Sequence, residues 1–173
     1  MNKIIIINGF IAALVIAGLS SWLLWSTAGD AAHSQSAWLG YLIMVAGLAV
    51  IYVAIKQVRD QQCGGLIGFY KGFSIGLQVT LIAAFFYVLS WEFYYQSAGQ
   101  DFITNYQQSQ LSHMAEAGAT DAEMAASRKD MQAFAQWYDR WYNRAMVTLF
   151  EILPVGLLIS VLAAALLRTR QTG

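Results

Sequence analysis

Four long apolar runs dominate this sequence and decide what the chain can fold into. A helix needs about 20 apolar residues to cross the hydrocarbon core of a bilayer. Runs of about this length lie at about 4–25, 38–55, 73–91 and 146–167. Composition agrees, because only 12% of the residues are charged, against about 25% in a typical soluble domain. The sequence therefore predicts one membrane domain over 1–173, an all-α bundle of four transmembrane helices.

The first run has an alternative interpretation as a cleaved signal peptide, because Lys3 precedes it. However, it is about 22 residues long, and signal peptides have apolar cores of only about 7–15 residues. It also ends in Trp22-Leu-Leu-Trp25. Tryptophan is typical of a membrane interface rather than of a small-residue cleavage site. We therefore predict that this run stays in the protein as the first span.

Lysine and arginine predict the orientation of the spans. In a four-span topology the basic residues of the termini and of the turn at 56–65 all fall on one side: Lys3, Lys56, Arg59, Arg168 and Arg170. The loop at 27–37, on the other side, has no lysine or arginine. By the positive-inside rule, both termini and the 56–65 turn are predicted to be cytoplasmic.

The long segment between spans three and four, about 97–143, is predicted to be extra-cytoplasmic and helical. Gly118 suits the end of a first helix, and Thr120-Asp-Ala-Glu123 is a capping box that would start a second. The next residues follow at spacings of three and four, as in an amphipathic helix: Met124, Ser127, Met131, Phe134, Tyr138 and Trp141. We therefore expect a helical hairpin outside the membrane. The pattern does not say whether its apolar face meets lipid, the hairpin itself or another protein.

Small residues recur at helical spacing where the third span begins: Gly64, Gly68, Gly72 and Gly76. No strand pattern precedes these glycines and no Gly-Lys-Ser follows, so a phosphate-binding loop is not indicated. Because membrane helices associate by close backbone approach, Gly68, Gly72, Gly76 and Ala83 predict a packing surface. Its partner could be another helix of this chain or a second copy of the protein.

Ionisable residues inside a membrane are costly and point to function. Glu92 and Glu151 both fall toward the outer leaflet in the predicted topology. One hypothesis places Glu151 in a polar site with Glu92, Gln78 or Arg144, beside a helix kink at Pro154. The alternative is that Glu92 is merely interfacial and that Glu151 forms a structural pair with Arg144.

Other classes of function lack the residues they need. Net charge is zero and no basic stretch is present, so nucleic acid is not an expected partner. The single cysteine, Cys63, excludes an intramolecular disulfide, and His33 and His113 lack metal-ligand spacing. No catalytic arrangement is visible. We expect a non-enzymatic protein with no metal and no cofactor.

Several segments of the chain are distinctive: Ile55-Lys-Gln-Val-Arg-Asp60 followed by Gly64-Gly65, Gly72-Phe73 through Gly76-Leu77, Tyr87 through Tyr95, and Phe150-Glu-Ile-Leu-Pro-Val-Gly156 through Ser160. In this order they resemble the bacterial membrane-protein family catalogued as domain of unknown function 4199. The resemblance covers nearly the whole chain. It implies a multi-pass protein of the bacterial inner membrane, and it implies no activity.

Two functions are consistent with these features. The first is an assembly protein in the lipid bilayer, which binds a second copy of itself or another membrane protein through the outer hairpin and the glycine surface. The alternative is a minimal proton-coupled transporter or channel that works as a dimer, with Glu92 and Glu151 in its pathway.

Overall fold

The structure is a computed structural model that describes residues 3–26 and 33–169, with the side chains of 24–26, 33–37 and 98–102 outside that description. The features predicted for Trp25 and Arg170 lie outside the described residues or side chains. The described part is almost entirely helical and contains no strand. Its helices are α1 Lys3–Ser26, α2 His33–Leu48, α3 Val50–Gln62, α4 Phe69–Glu116, α5 Asp121–Tyr138 and α6 Trp141–Leu167.

The predicted fold class is confirmed. Four helical segments are long and apolar enough to cross a bilayer: Lys3–Leu23, Trp38–Gln62, Phe69–Ser97 and Trp141–Leu167. The second is longer than predicted, because the helix continues past Lys56 and Arg59 to Gln62. It is built from α2 and α3, which join at Ala49, where the Tyr52 N–H donates to the Ala49 carbonyl at 3.1 Å.

The third span does not end near residue 91, where its apolar run ends. Instead α4 continues without a break for 48 residues, a length of about 70 Å. Its last 19 residues, beyond Ser97, project from the apolar bundle by about 28 Å. The first half of the predicted hairpin is therefore the same helix as the third span.

The hairpin turn has the predicted residues. Gly118 has a φ of 81°, a left-handed conformation that favours glycine. The capping box is also confirmed, because the Glu123 N–H donates to Thr120 Oγ1 at 3.3 Å and the Thr120 N–H donates to Glu123 Oε2 at 2.8 Å. These bonds hold the Glu123 pKa below its usual range. The turn sends α5 back along α4, where Gln107 Nε2 donates to the Met131 carbonyl at 3.3 Å.

Small residues set the contact between α4 and α6, which is the most extensive in the bundle. Along this antiparallel pair, every fourth residue of α4 meets every fourth residue of α6: Gly72 with Ala164, Gly76 with Ser160, and Thr80 with Gly156. The Thr80 and Ser160 hydroxyls donate to carbonyls of their own helices, so neither is left unsatisfied. The same register continues to Glu92 and Arg144.

At the opposite end of the bundle, hydrogen bonds join α1 to α3 and the end of α6 to the loop before α4. Asn8 in α1 is 3% exposed, and its Nδ2 donates to Gln57 Oε1 in α3 at 2.8 Å. The Ile67 N–H donates to Thr169 Oγ1 at 2.8 Å, which fixes the end of α6 on the loop before α4. We call this the loop end, and the end at which α5 meets α6 the hairpin end. Lys56, Arg59 and Arg168 all lie at the loop end.

Candidate functional site

The polar residues selected from the sequence do not form a single site. Glu92 and Arg144 do meet: Arg144 Nη2 donates to Glu92 Oε2 at 2.7 Å and Arg144 Nε donates to Glu92 Oε1 at 3.0 Å. This two-bond geometry is the strongest form of an arginine–carboxylate pair. The Arg144 side chain is 7% exposed and that of Glu92 16%. The pair is therefore a buried link between α4 and α6.

Arg144 also joins this pair to the end of α5. Its Nη1 donates to the backbone carbonyls of Tyr138 and Asp139. Carbonyls at a helix C-terminus have no partner within the helix, so the arginine supplies the missing donors. The guanidinium carbon lies 4.0 Å from the centre of the Tyr95 ring, a cation–π contact. One side chain thus contacts both arms of the hairpin.

Tyr138 completes the arrangement from α5. Its hydroxyl oxygen accepts a hydrogen bond from Trp91 Nε1 at 2.8 Å, and its ring packs edge-on against Tyr95 at 5.7 Å. Burial raises the pKa of Tyr138 to about 12, with the charge of Glu151 acting in the same direction and the Trp91 bond opposing it. The phenol is therefore neutral at physiological pH. We call Trp91, Glu92, Tyr95, Tyr138 and Arg144 together the clasp.

Gln78 lies elsewhere. It is 14 residues before Glu92 on α4, about 21 Å along the helix. Its Nε2 donates to the Ser74 carbonyl at 3.1 Å and contacts the Ser74 hydroxyl at 3.3 Å. These are bonds within one turn of its own helix, so Gln78 has no part in the clasp.

Glu151 is not part of the ion pair between Glu92 and Arg144, and its role stays a prediction. Its side chain is on the outer surface of α6, and it makes no hydrogen bond or ion pair with any other described residue. Arg144 is held by Glu92, so the expected pair between Arg144 and Glu151 does not form. Pro154 lies inside α6, which runs unbroken from Trp141 to Leu167. A kink at Pro154 remains a prediction.

The glycine surface is occupied by α6 of the same chain. A Cβ on Gly72 would lie 3.2 Å from the Ala164 Cβ, and one on Gly76 would lie 2.6 Å from Ser160 Oγ. Ala83, on the same helix, is fully buried. Gly68 differs, because it is the N-cap of α4 and a Cβ there would meet open space. This groove is therefore filled from within the chain and is not open to a second copy.

A groove between the two arms of the hairpin was not anticipated from the sequence. It has a volume of about 320 Å³ and a mostly apolar lining. It is lined by Ile103, Tyr106 and Gln107 of α4 and by Asp130, Met131, Phe134 and Ala135 of α5. One feature of the sequence could have indicated this groove. Ala135 has a small side chain and lies one turn after Met131 on α5.

Comparison with known proteins gives the family. The family described as "Protein of unknown function (DUF4199)" matches residues 5–169. The chain belongs to the DUF4199 family. The resemblance noted in the sequence is thus confirmed over nearly its full length. No curated protein and no solved structure matches the chain.

The buried polar groups of this DUF4199 protein are satisfied within the described part of the chain. In the described part of the chain, every buried side-chain nitrogen or oxygen has a hydrogen-bond partner. Among the same residues, no three histidine, cysteine or acidic side chains are grouped so as to hold a metal ion. The clasp also has its strongest groups already paired with each other. Its geometry fits a structural joint between α4, α5 and α6.

Proposed function

We propose that this DUF4199 protein is a non-enzymatic, multi-pass inner-membrane protein that binds a partner protein through its outer hairpin. The observation that carries the proposal is the exposure of the hairpin. From Ile103 to Trp137 the described side chains include none that is fully buried. Two helices with so little buried surface gain little stability from each other. Exposed apolar groups on such a projection are typical of a protein-binding surface.

The clasp supports this proposal because it fixes the base of the hairpin. Arg144 bonds to Glu92 of α4 and to the last carbonyls of α5, so both arms are held where they leave the bundle. A surface held in one orientation loses less entropy when a partner binds. The hairpin is thus anchored at its base and open along its length.

The groove indicates the chemistry of the partner. Its volume of about 320 Å³ is at the lower end of the roughly 300–1,000 Å³ typical of ligand sites. This is room for one or two apolar side chains rather than for a whole helix. Phe134 and Tyr106 are half-exposed at this site, and Asp130 supplies a carboxylate at its edge. We expect the partner to insert a large apolar side chain, flanked by a lysine or arginine that faces Asp130.

The charge distribution supports an orientation with the hairpin outside the cytoplasm. Lys56, Arg59 and Arg168 lie at the loop end, and short basic segments stay on the cytoplasmic side. The partner would then be an extra-cytoplasmic protein, or the outer part of another membrane protein.

Proton-coupled transport, the alternative, receives less support. It requires Glu92 and Glu151 to share a pathway. Both oxygens of Glu92 accept hydrogen bonds from Arg144, and Glu151 forms no ion pair with either of these two residues. The geometry therefore favours binding over transport.

The proposal is tested with a substitution that fills the groove. Ala135→Phe places a ring in the groove, whereas Ala133→Phe adds the same ring at an exposed position of α5 that does not line it. The tagged full-length protein and both variants are isolated from native membranes, and co-purifying proteins are quantified by mass spectrometry. We expect at least a tenfold loss of a specific partner in Ala135→Phe, no loss in Ala133→Phe, and an intermediate loss in Asp130→Asn.

Two results would contradict this function. One is that no protein co-purifies with the wild type above an empty-tag control. The other is equal recovery in Ala135→Phe and Ala133→Phe, because the groove would then not be the binding surface. Folding of each variant is checked by its thermal unfolding in detergent.

A further inference from the structure

Glu151 has an unusual position for a carboxyl group. It is ten residues into α6, which places it about 15 Å along the helix from Trp141. Trp141 and Tyr142 are exposed aromatic residues of the kind found at membrane interfaces. The Glu151 side chain thus lies at hydrocarbon depth, on the outer surface of the bundle. A polar group there needs a hydrogen-bond partner, because lipid tails offer none.

The residues around Glu151 follow the spacing of a helix–helix seam. Residues 151, 154, 158, 161 and 165 alternate at intervals of three and four, the period of a coiled coil. All five of these side chains are exposed: Glu151, Pro154, Leu158, Val161 and Ala165. The opposite side of α6, with Ile152, Gly156 and Ser160, is buried against the rest of the chain. α6 thus has a second, unoccupied packing face.

Glu151 and Arg144 help to locate this face. The two residues are seven positions apart on α6, so they project from nearly the same side of the helix. At the hairpin end, Glu92 and the end of α5 cover Arg144. Two turns further into the membrane the Glu151 side chain is exposed on the surface of α6. The exposed face of α6 therefore begins two turns from the clasp, on the side toward the middle of the membrane.

We infer that this face binds the same face of a second copy of the protein, so that the two α6 helices cross at Glu151. A symmetric dimer has its two-fold axis along the membrane normal, and each residue near that axis meets its own counterpart. A protonated Glu151 then donates a hydrogen bond to the Glu151 carboxylate of the other copy. A lone polar residue in such a seam also fixes its register.

A second copy satisfies Glu151 more simply than another partner does. A different membrane protein would have to bring a donor to this depth, whereas symmetry supplies one from the same sequence. The glycine groove is already filled by α6 of its own chain. The dimer contact is therefore on the opposite side of α6 from that groove, and it is independent of the hairpin function proposed above.

Cysteine cross-linking in membranes tests the seam. In a Cys63→Ala background, Leu158→Cys and Val161→Cys lie on the seam, whereas Leu157→Cys and Leu166→Cys are exposed positions to its two sides. We expect disulfide-linked dimers from the seam positions and at least fivefold less from the control positions. Equal cross-linking at all four positions, or none at any, would overturn the inference. A product that contains a different protein in place of the second copy would also overturn it.

The role of the carboxyl group is tested by the dimer dissociation constant in lipid vesicles, measured by fluorescence energy transfer on dilution. Glu151→Leu removes the hydrogen bond and should raise this constant roughly tenfold, while Glu151→Gln can still donate and accept and should stay within about threefold. Phe150→Ala, at the adjacent exposed position, should also have little effect. An unchanged constant in Glu151→Leu would rule out the proposed bond. Ala135→Phe should leave the dimer intact, so failure of the hairpin function and failure of the seam can be distinguished.

Discussion

At the scale of single residues, Arg144 shows how one side chain can connect three helices. Its guanidinium group reaches a carboxylate of α4, two backbone carbonyls at the end of α5 and the Tyr95 ring. Lysine could not replace it, because a single ammonium group cannot reproduce this planar set of donors. The residue is satisfied on all sides, and removing either member of its ion pair leaves the charge of the other buried without its counter-ion.

We expect Arg144→Ala and Glu92→Ala each to lower the free energy of unfolding by about 3–5 kcal/mol, the usual cost of breaking a buried ion pair from one side. Reversible unfolding in mixed detergent–SDS micelles provides the measurement. Arg140→Ala is the matched control, since the Arg140 side chain is exposed and donates to the Tyr142 hydroxyl, and it should change stability by less than about 0.5 kcal/mol. Similar small effects from all three variants would mean that the clasp does not hold the hairpin.

The sequence could identify Glu92 and Arg144 as unusual but could not pair them. Helical spacing puts Arg144 and Glu151 on nearly the same side of α6, which made their pairing reasonable. What separates them is tertiary structure, because the end of α5 bonds to Arg144 through the Tyr138 carbonyl and Glu92 of α4 pairs with the same arginine. Spacing along one helix says nothing about which part of its surface a distant segment will cover.

At the scale of whole elements, the register between α4 and α6 depends on small residues. Gly72, Gly76 and Gly156 let the backbones of the two helices approach closely. A methyl group at Gly76 or Gly156 would collide with the facing helix, and one at Gly72 would be tighter than an ordinary contact. The contact is therefore sensitive to one added carbon atom.

We expect Gly76→Ala to destabilise the protein by about 1–3 kcal/mol, the usual cost of overpacking a tight core. Its new Cβ would lie 2.6 Å from Ser160 Oγ and 3.0 Å from Ile51 Cγ2. Gly18→Ala provides the comparison, because a Cβ at this position of α1 has no neighbour within 4 Å. Alanine there should be neutral or stabilising by up to about 1 kcal/mol. A loss as large in Gly18→Ala as in Gly76→Ala would show that close packing is not the cause.

Most of the helices could be predicted from the sequence, but their continuity could not. Hydropathy located the four spans, and the capping box at Thr120 marked the start of α5. The change from apolar to polar residues after Trp91 suggested a boundary. However, only the surroundings of the chain change there, from lipid to water. The helix itself continues, because no proline interrupts the chain before Glu116. Backbone hydrogen bonds in a helix continue across such a boundary.

At the scale of the whole molecule, the hairpin lies at the opposite end of the bundle from Lys56, Arg59 and Arg168. Orientation in the membrane then decides which compartment the hairpin groove faces. In a Cys63→Ala background, we expect a membrane-impermeant thiol reagent added to intact cells to label Gln108→Cys on the hairpin. Gln61→Cys at the loop end should react only after the membrane is opened. Both positions are exposed, so a reversed labelling pattern would place the hairpin in the cytoplasm.

The uninterrupted length of α4 makes the hairpin a lever. Because 29 residues of this helix are within the bundle and the rest extends beyond it, a tilt inside the bilayer is passed directly to the tip. A rotation of about 10° about the point where α4 leaves the bundle would swing a tip some 28 Å away by roughly 5 Å. Bilayer thickness alters the tilt of membrane helices. The reach of the hairpin is therefore coupled mechanically to the lipid that surrounds its base.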